Sequence, residues 1–235
     1  MKIGMIIAIP EEVNILNKKL SMYKTNHINS ITGINIHIYK LYYTTIFLIQ
    51  SGIGKISSSI ACYILINKYK VKFIINIGSA GSVNNNIKIL DIILATDLIY
   101  HDVNLTNWGY AIGQIPQLPK SFHTNYILRN NVKNIFNQYN IKYHEGLIIS
   151  GDSFVKNKKH IIQSFPYALS VDMESASIGQ VCFQLKKPIL IIKIISDLCN
   201  NNSLKMFKQH INKISYKIYK IIKYFINISY HEKIY

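Results

Sequence analysis

The sequence predicts an α/β fold in one domain over residues 1–235, with a central mixed, largely parallel, twisted sheet flanked by helices. Short β-branched apolar runs alternate with longer segments of helical spacing, which is typical of a mainly parallel sheet. The runs are apolar nearly throughout, as in strands covered on both faces. No Pro-, Gly- or Ser-rich stretch interrupts the hydrophobic segments, so no domain boundary is indicated.

The predicted strands are short and rich in isoleucine. They cover residues 2–9, 44–50, 73–77, 89–96, 146–149 and 189–195. The predicted helices, where apolar residues recur with helical spacing, cover residues 55–69, 125–139, 174–185 and 204–228. Several of these helices lie between two strands, so the strands that they connect are expected to run parallel.

Small residues and carboxylates gather where the predicted strands end. The segments are Pro10-Glu11-Glu12, Ser51-Gly52-Ile53-Gly54, Gly78-Ser79-Ala80-Gly81, Ser150-Gly151-Asp152-Ser153-Phe154, Asp172-Met173-Glu174 and Ser196-Asp197. Parallel sheets bind ligands outside the carboxyl ends of their strands. Six such ends on one rim therefore predict a pocket there.

The formal net charge of +16 raises the question of nucleic-acid binding. The chain has 27 basic residues, but Arg129 is the one arginine, and the lysines are scattered among Ile, Asn and Tyr. Isoleucine makes up about a fifth of the chain, as expected where an AT-rich coding sequence has drifted. Base recognition relies on Arg side chains, so we expect neither a nucleic-acid partner nor a nucleic-acid site.

The cysteines favour a reducing compartment. Cys62, Cys182 and Cys199 are odd in number and show neither CxxC nor zinc-ligand spacing. The apolar start of the chain runs directly into Glu11 and Glu12 without a cleavage site, which argues against a signal peptide. No uninterrupted apolar stretch is long enough to span a membrane. We therefore expect a soluble, cytoplasmic protein without a membrane partner.

Two glycine-rich segments have two interpretations each. Ser51-Gly52-Ile53-Gly54-Lys55 matches neither GxGxxG nor GxxxxGK followed by Ser or Thr. A tight strand-to-helix turn and a ligand-binding loop both account for it. The same two interpretations apply to Gly78-Ser79-Ala80-Gly81, since small residues let backbone N–H groups approach a ligand or let the chain turn.

The carboxylates carry the chemical prediction. The chain has 11 acidic residues, and five of them lie at predicted strand ends instead of on helix faces: Glu12, Asp152, Asp172, Glu174 and Asp197. Any one of them could be a helix cap or a turn residue. Glycosidic bond cleavage, however, needs a carboxylic acid to protonate the leaving group and a carboxylate to activate water. A third carboxylate could hold the ribose hydroxyls, but spacing alone does not assign these roles.

Nine motifs in chain order carry a resemblance to a known family. They are Met1-Lys2-Ile3-Gly4 with Glu11-Glu12-Val13, Ser51-Gly52-Ile53-Gly54-Lys55, Asn76-Ile77-Gly78-Ser79-Ala80-Gly81, Tyr100-His101-Asp102, Gly109-Tyr110, Gly113-Gln114, Ser150-Gly151-Asp152, Val171-Asp172-Met173-Glu174 and Ile195-Ser196-Asp197. Together they closely resemble bacterial 5'-methylthioadenosine/S-adenosylhomocysteine nucleosidases of the purine nucleoside phosphorylase superfamily. The resemblance extends from residue 1 to about residue 200.

The resemblance implies a nucleoside phosphorylase-like homodimer that hydrolyses 5'-methylthioadenosine, S-adenosylhomocysteine and 5'-deoxyadenosine without cofactor or metal, in methionine salvage and methyl-cycle recycling. It implies that Glu12 is the base that activates water and that Asp197, held by Ser196, is the acid that protonates adenine. It also implies that Glu174 grips the ribose hydroxyls while Met173 packs on the sugar.

The resemblance assigns further contacts to the pocket. Backbone groups of Gly81 and Val155 would meet the substrate, and Phe154 would stack on adenine. Ser79 would lie beside the water and the ribose, and Ile53 would line the apolar side. A segment that would cover the alkylthio group of the partner's substrate contains Leu105, Trp108, Tyr110 and Pro116, although plain loop packing also accounts for those residues.

The sequence departs from the family pattern at three places. Asp172 stands where Glu is usual, and Lys193 stands where Arg is usual, so a bidentate fork is not expected there. Ile9-Pro10 replaces a more typical Met-Glu pair. These changes affect the surroundings of Glu12 and of the purine and leave the two main carboxylates in place.

Three other functions compete with hydrolysis. A phosphorolytic nucleoside phosphorylase would clamp phosphate with Arg, but Arg129 falls in a predicted helix away from the strand-end loops. A nucleoside-binding protein without catalysis would not need Glu12, Glu174 and Asp197 together. A metal site could begin with His101-Asp102, but no further ligands follow at a recognisable spacing.

Overall fold

The computed structural model describes residues 1–29, 34–41 and 43–231. Its strands are β1 (Lys2–Ile7), β2 (Lys24–Asn29), β3 (Asn35–Leu41), β4 (Thr44–Gln50), β5 (Phe73–Ser82), β6 (Ile92–Tyr100), β7 (Phe122–His123), β8 (His144–Ser150), β9 (Ala168–Asp172) and β10 (Ile189–Asp197). Its helices are α1 (Pro10–Lys19), α2 (Lys55–Asn67), α3 (Tyr126–Gln138), α4 (Lys159–Ser164), α5 (Ser175–Gln184) and α6 (Ser203–His231). Each predicted strand and helix corresponds to one of these elements.

The strands form one mixed sheet, in the order β10-β6-β8-β9-β5-β1-β4-β3-β2. Strand β10 also pairs with β5, so that β10, β6, β8, β9 and β5 close into a ring. Parallel pairs include β1 with β4 and β5 with β10, whereas β5 with β9 and β6 with β10 are antiparallel. Ring closure leaves these five strands without a free edge at the site end of the sheet.

Helices cover both faces of the sheet, as predicted. One apolar cluster joins the sheet to α1, α3 and α6 through residues such as Leu16, Phe136 and Ile218. The other joins it to α2 and α5 through residues such as Leu65 and Ile178. Full burial of one such aliphatic or aromatic side chain stabilises the folded state by about 1.5–3 kcal/mol. Within the described ranges, no helix is long and apolar enough to cross a membrane.

Three predicted strand ends are wrong at the site: β10 ends at Asp197 instead of residue 195, and the ends of β1 and β5 also differ. The first strand ends at Ile7 instead of residue 9, because Pro10 occupies the first turn of α1, where its missing N–H and fixed φ are favourable. Glu12 therefore lies in the first turn of a helix and not at a strand end. Strand β5 continues to Ser82, because its distal half pairs with β9 and β10. Gly78-Ser79-Ala80-Gly81 is thus part of a strand and not a turn after it.

The glycines at residues 52 and 54 are required by the backbone. Gly52 has φ +80° and Gly54 has φ +96°, which side-chain-bearing residues rarely adopt. The tight strand-to-helix turn before α2 is therefore confirmed. The same turn also places Ile53 at the edge of the cavity described next.

Candidate active site

A cavity of about 260 Å³ opens at the carboxyl ends of β1, β5, β9 and β10. This volume suits one small molecule, being close to the lower end of the range for small-ligand sites. Its lining contains all ten site residues expected from the sequence: Ile53, Ser79, Gly81, Phe154, Val155, Met173, Glu174, Ser196, Glu12 and Asp197. The fold thus brings together residues that lie up to 185 positions apart (Glu12 to Asp197).

Glu12 is held by the neighbouring strand β5. It is 2% exposed, and its Oε1 accepts hydrogen bonds from Ser79 N at 2.7 Å and Ser79 Oγ at 2.6 Å. Its Oε2 lies 3.5 Å from Ile9 N, at the limit of hydrogen bonding. A Cβ at Gly78 would lie 3.1 Å from Oε1, so glycine makes the approach of the carboxylate possible. One oxygen is therefore fixed, and the other can accept a proton.

Asp197 ends β10 on the other side of β5. It is 3% exposed, Ser196 Oγ donates to its Oδ2 at 2.8 Å, and Cys199 N donates to its Oδ1 at 3.0 Å. A Cβ at Gly81 would lie 3.1 Å from Asp197 Oδ1 and 2.6 Å from Cys199 Sγ. Gly81 therefore leaves the space that this carboxylate occupies.

Glu174 stands at the start of α5 and is 5% exposed. Its Oε1 accepts a hydrogen bond from Gly54 N at 3.0 Å, and Lys193 Nζ lies 3.9 Å from its Oε2. Burial raises the pKa of Glu174 to about 7, against the opposing charge of Lys193 and with a further upward contribution from Asp172. Glu174 thus changes its charge near neutral pH.

Two of the three departures from the family pattern, Asp172 and Lys193, form one buried ion pair. Lys193 Nζ lies 2.8 Å from Asp172 Oδ2, and both side chains are 2% exposed. Burial disfavours both charges, but the pair holds the pKa of Asp172 below and that of Lys193 above its usual value. Asp172 Oδ1 accepts hydrogen bonds from Ser150 Oγ at 2.5 Å and from Ser175 N. A shorter acid and a shorter base therefore meet in an ion pair that is part of the cavity lining.

Several lining residues were not named as site residues in the sequence analysis. Ala80, Ser153 and Val171 belong to the strand-end segments and motifs given above, whereas Ala8 and Cys199 belong to none of them. Leu204 and Phe207 come from the first turns of α6, where no motif was recognised. Their spacing of three residues on an amphipathic helix is the one signal that could have found them.

The segment predicted to reach a partner subunit does not line this chain's own cavity. Leu105, Tyr110 and Pro116 are half-buried, and Trp108, which ends a short 3-10 helix, is 76% exposed. An indole exposed to this extent is free to contact another surface.

The residues considered for a phosphate site and for a metal site, Arg129 and His101-Asp102, do not line the cavity. Arg129 belongs to α3, donates to Thr124 O at 2.7 Å and is outside the cavity lining. Among the described residues, no group of three or more His, Cys, Asp and Glu side chains could hold a metal ion. Asp102 instead accepts from Lys55 Nζ at 2.7 Å.

The chain is similar to known proteins over nearly its whole length. The family model of the phosphorylase superfamily matches residues 2–227. A 5'-methylthioadenosine/S-adenosylhomocysteine nucleosidase of Buchnera aphidicola subsp. Baizongia pistaciae is 47% identical over 217 residues, covering 91% of this chain and 85% of that protein. The Staphylococcus epidermidis nucleosidase is 38% identical over 214 residues, covering 90% of this chain and 92% of that protein. The solved nucleosidase from S. pneumoniae with the transition-state inhibitor MT-ImmA has a TM-score of 0.88 and 33% identity, over 96% of this chain and 98% of that chain.

Proposed function

The chain belongs to the 5'-methylthioadenosine/S-adenosylhomocysteine nucleosidases of the phosphorylase superfamily and is an N-glycosyl hydrolase, and from this premise we propose its substrates and residue roles. The substrates are 5'-methylthioadenosine, S-adenosylhomocysteine and 5'-deoxyadenosine, and the products are adenine and the corresponding thioribose or deoxyribose. This reaction serves methionine salvage and methyl-cycle recycling. Residues 1–235 act as one nucleosidase domain.

The observation that carries the proposal is the presence of four buried carboxylates around one small cavity. Asp172 is paired with Lys193, which leaves Glu12, Glu174 and Asp197 for the substrate. Asp197 protonates a ring nitrogen of adenine, and the bond between the ribose C1' and the base then breaks towards an oxocarbenium-like state. Water attacks C1' and transfers its proton to Glu12. Each proton and electron pair is thereby accounted for without a cofactor.

The remaining lining residues bind and orient the substrate. Glu174 accepts hydrogen bonds from the ribose hydroxyls, which positions C1' between acid and base. Met173 packs on the sugar and Phe154 stacks on adenine, while Gly81 and Val155 offer backbone groups. Ser79 and Ser196 hold the two catalytic carboxylates, and Ile53 lines the apolar side of the pocket.

The homodimer belongs to this proposal. Four exposed apolar side chains lie at helical spacing on α2 and the turn before it: Ile53, Ile56, Ile60 and Tyr63. Of these, Ile53 also lines the cavity. Apolar stripes of this kind mark protein interfaces. With exposed Trp108, this face supports a dimer in which the Leu105–Pro116 segment approaches the partner's pocket. The buried free thiols of Cys62, Cys182 and Cys199 support a reducing, cytoplasmic location.

Hydrolysis and phosphorolysis are distinguished by their need for phosphate. We expect the purified protein to release adenine from 5'-methylthioadenosine at the same rate with and without phosphate, because Arg129 lies outside the cavity. Adenine release is followed by chromatography in phosphate-free buffer. Strict phosphate dependence with a sugar 1-phosphate product would show that the protein is a phosphorylase. No adenine release in either buffer would indicate a nucleoside-binding protein without catalytic activity.

The protonation of Glu174 predicts the acid side of the pH profile. Its pKa is raised to about 7. The ionised form, which accepts hydrogen bonds from the ribose hydroxyls, therefore predominates above that pH and is lost as pH falls. We expect kcat/KM to fall about tenfold per pH unit well below pH 7. Steady-state rates from pH 5 to 9 measure this, with Glu174→Gln as the comparison. An unchanged acid limb in the Gln variant would assign the titration to another group.

A further inference from the structure

Three loops are joined at the rim of the cavity by the side chains of Lys55, Asp102 and Asp152, which we call the rim network. Lys55 Nζ lies 2.7 Å from Asp102 Oδ2 and 3.7 Å from Asp152 Oδ2. Asp152 N also donates to Asp102 Oδ2 at 2.9 Å. The network thus connects the first residue of α2, the segment after β6 and the segment after β8.

Asp152 supplies the helix cap that α2 does not have in its own sequence. The residue at the N-cap is Gly54, which has no side chain to accept from the first turn. Asp152 Oδ1 accepts from Lys55 N at 2.8 Å instead, which also places a negative charge at the positive end of the helix. A Cβ at Gly54 would lie 3.0 Å from this oxygen, so the carboxylate and the turn fit closely together.

The capped turn reaches into the site through one amide. Gly54 N donates to Glu174 Oε1 at 3.0 Å. The next amide in the chain, Lys55 N, is the one that donates to Asp152. On the other side, Asp152 directly precedes Ser153, Phe154 and Val155, which line the cavity. Displacement of Asp152 would therefore weaken the hydrogen bond from Gly54 N to Glu174 and shift the segment that contains Phe154, the proposed adenine-stacking residue.

The rim network is expected to contribute little to the stability of the folded protein. The side chain of Asp152 is 47% exposed and those of Lys55 and Asp102 about a quarter exposed, and ion pairs at such exposure contribute little. What the network controls is geometry, because Glu174 is buried and small changes in its donors alter its protonation. The charged groups that act on Glu174 are Lys193 from β10, Asp172 from β9 and Glu12 from α1.

We propose that Asp152, supported by Lys55 and Asp102, is a positioning residue that holds the Gly54 amide on Glu174, and thereby orients the ribose-binding carboxylate and favours its ionised form. This role rests on the proposed function only in taking Glu174 as the ribose-binding group. Asp152 itself does not line the cavity.

The test compares Asp152→Ala with Asp152→Asn, because Asn can still accept from Lys55 N whereas Ala cannot. Carbon-13 labelling of glutamate gives few carboxyl signals, since the chain has five Glu residues, and Glu174→Gln identifies the one of interest. In ligand-free protein we expect Ala to move the Glu174 titration to higher pH, because the Gly54 hydrogen bond that lowers its pKa is weakened. Asn should restore most of the wild-type titration.

Kinetics give the second readout. At pH 7 we expect Asp152→Ala to lower kcat/KM about three- to tenfold, mainly through KM, and Asn to stay within about twofold of the wild type. A lower melting temperature with an unchanged pKa of Glu174 would show that Asp152 acts only as a helix cap, and this result would overturn the proposal. If the Ala variant does not fold, Asp102→Ala tests the same network and should move the titration in the same direction.

Failure of this proposal is separable from failure of the nucleosidase function. The glutamate titration needs no substrate, so it reports on the rim network even in a protein that releases no adenine. A wild type that turns over normally, with variants that leave Glu174 unchanged, would reject the rim network alone.

Discussion

Replacing Asp197 with Asn is expected to lower kcat for 5'-methylthioadenosine by about a thousandfold while the substrate still binds. An amide cannot protonate the leaving adenine, yet it keeps the shape of the side chain. Its oxygen can accept from Cys199 N, and its NH2 group can donate to Ser196 Oγ, whose own proton can then go to Ala80 O. Single-turnover adenine release gives the rate, and calorimetric titration with a non-hydrolysable analogue gives Kd. A large loss of kcat with Kd changed less than about fivefold is the expected combination.

Asp97→Asn is the matched control for this substitution. Asp97 lies on β6, pairs with His123 and is outside the cavity lining, so the same chemical change there should leave kcat within about twofold. A second check uses a thioriboside with p-nitrophenol as the leaving group, which needs no protonation. If Asp197→Asn remained as slow with that substrate as with the adenine nucleoside, the assignment of Asp197 as the acid would be wrong.

Glu12→Gln is expected to reduce kcat by about a hundredfold to ten thousandfold, through loss of the base that accepts the proton of water. The amide can still accept from Ser79 N and Oγ, so the fold and the approach to Gly78 should be kept. Unlike the Asp197 variant, this one should stay slow with a p-nitrophenol leaving group, because attack by water is impaired whatever departs. Parallel rates on the two substrates separate the acid from the base.

Glu11→Gln is the control for Glu12→Gln. Glu11 lies in the same first turn of α1 but is exposed and does not line the cavity. Both glutamates interact with the helix N-terminus, so any effect of that electrostatic change should appear in both variants. Equal activity of the two variants would contradict the base assignment.

The fold was predictable because its strands and helices have strong, regular patterns. Buried runs such as residues 73–77 and 189–195 read as strands, and α3 and α5 show apolar positions at helical spacing. The hairpin of β2 and β3 was missed because Lys24–Asn29 is largely polar and matches no strand pattern. Helix α1 was missed because its first residues follow a strand directly, and the Pro10 and Glu12 signals of a helix start were read as a strand end.

The sequence predicted which residues form the site, but it did not predict their hydrogen-bond and ion-pair partners. Short motifs indicated which carboxylates gather at the rim, and the cavity lining contains each of them except Asp152. Their hydrogen-bond partners depend on contacts between distant segments: Gly54 with Glu174, and Lys55 with Asp102 and Asp152. No spacing in a single sequence encodes such contacts. The roles of the site residues stay predictions until the variants are measured.

Strand β5 has one further consequence, which concerns how much amino-acid replacement the site can absorb. Gly78 and Gly81 face Glu12 and Asp197 with bare backbone, so the separation of the two carboxylates depends on the dimensions of a polypeptide strand. Replacing one aliphatic core residue by another leaves those dimensions unchanged. A chain whose buried core is rich in isoleucine can therefore keep the spacing of its reacting groups, while a single added methyl group at either glycine would disturb it.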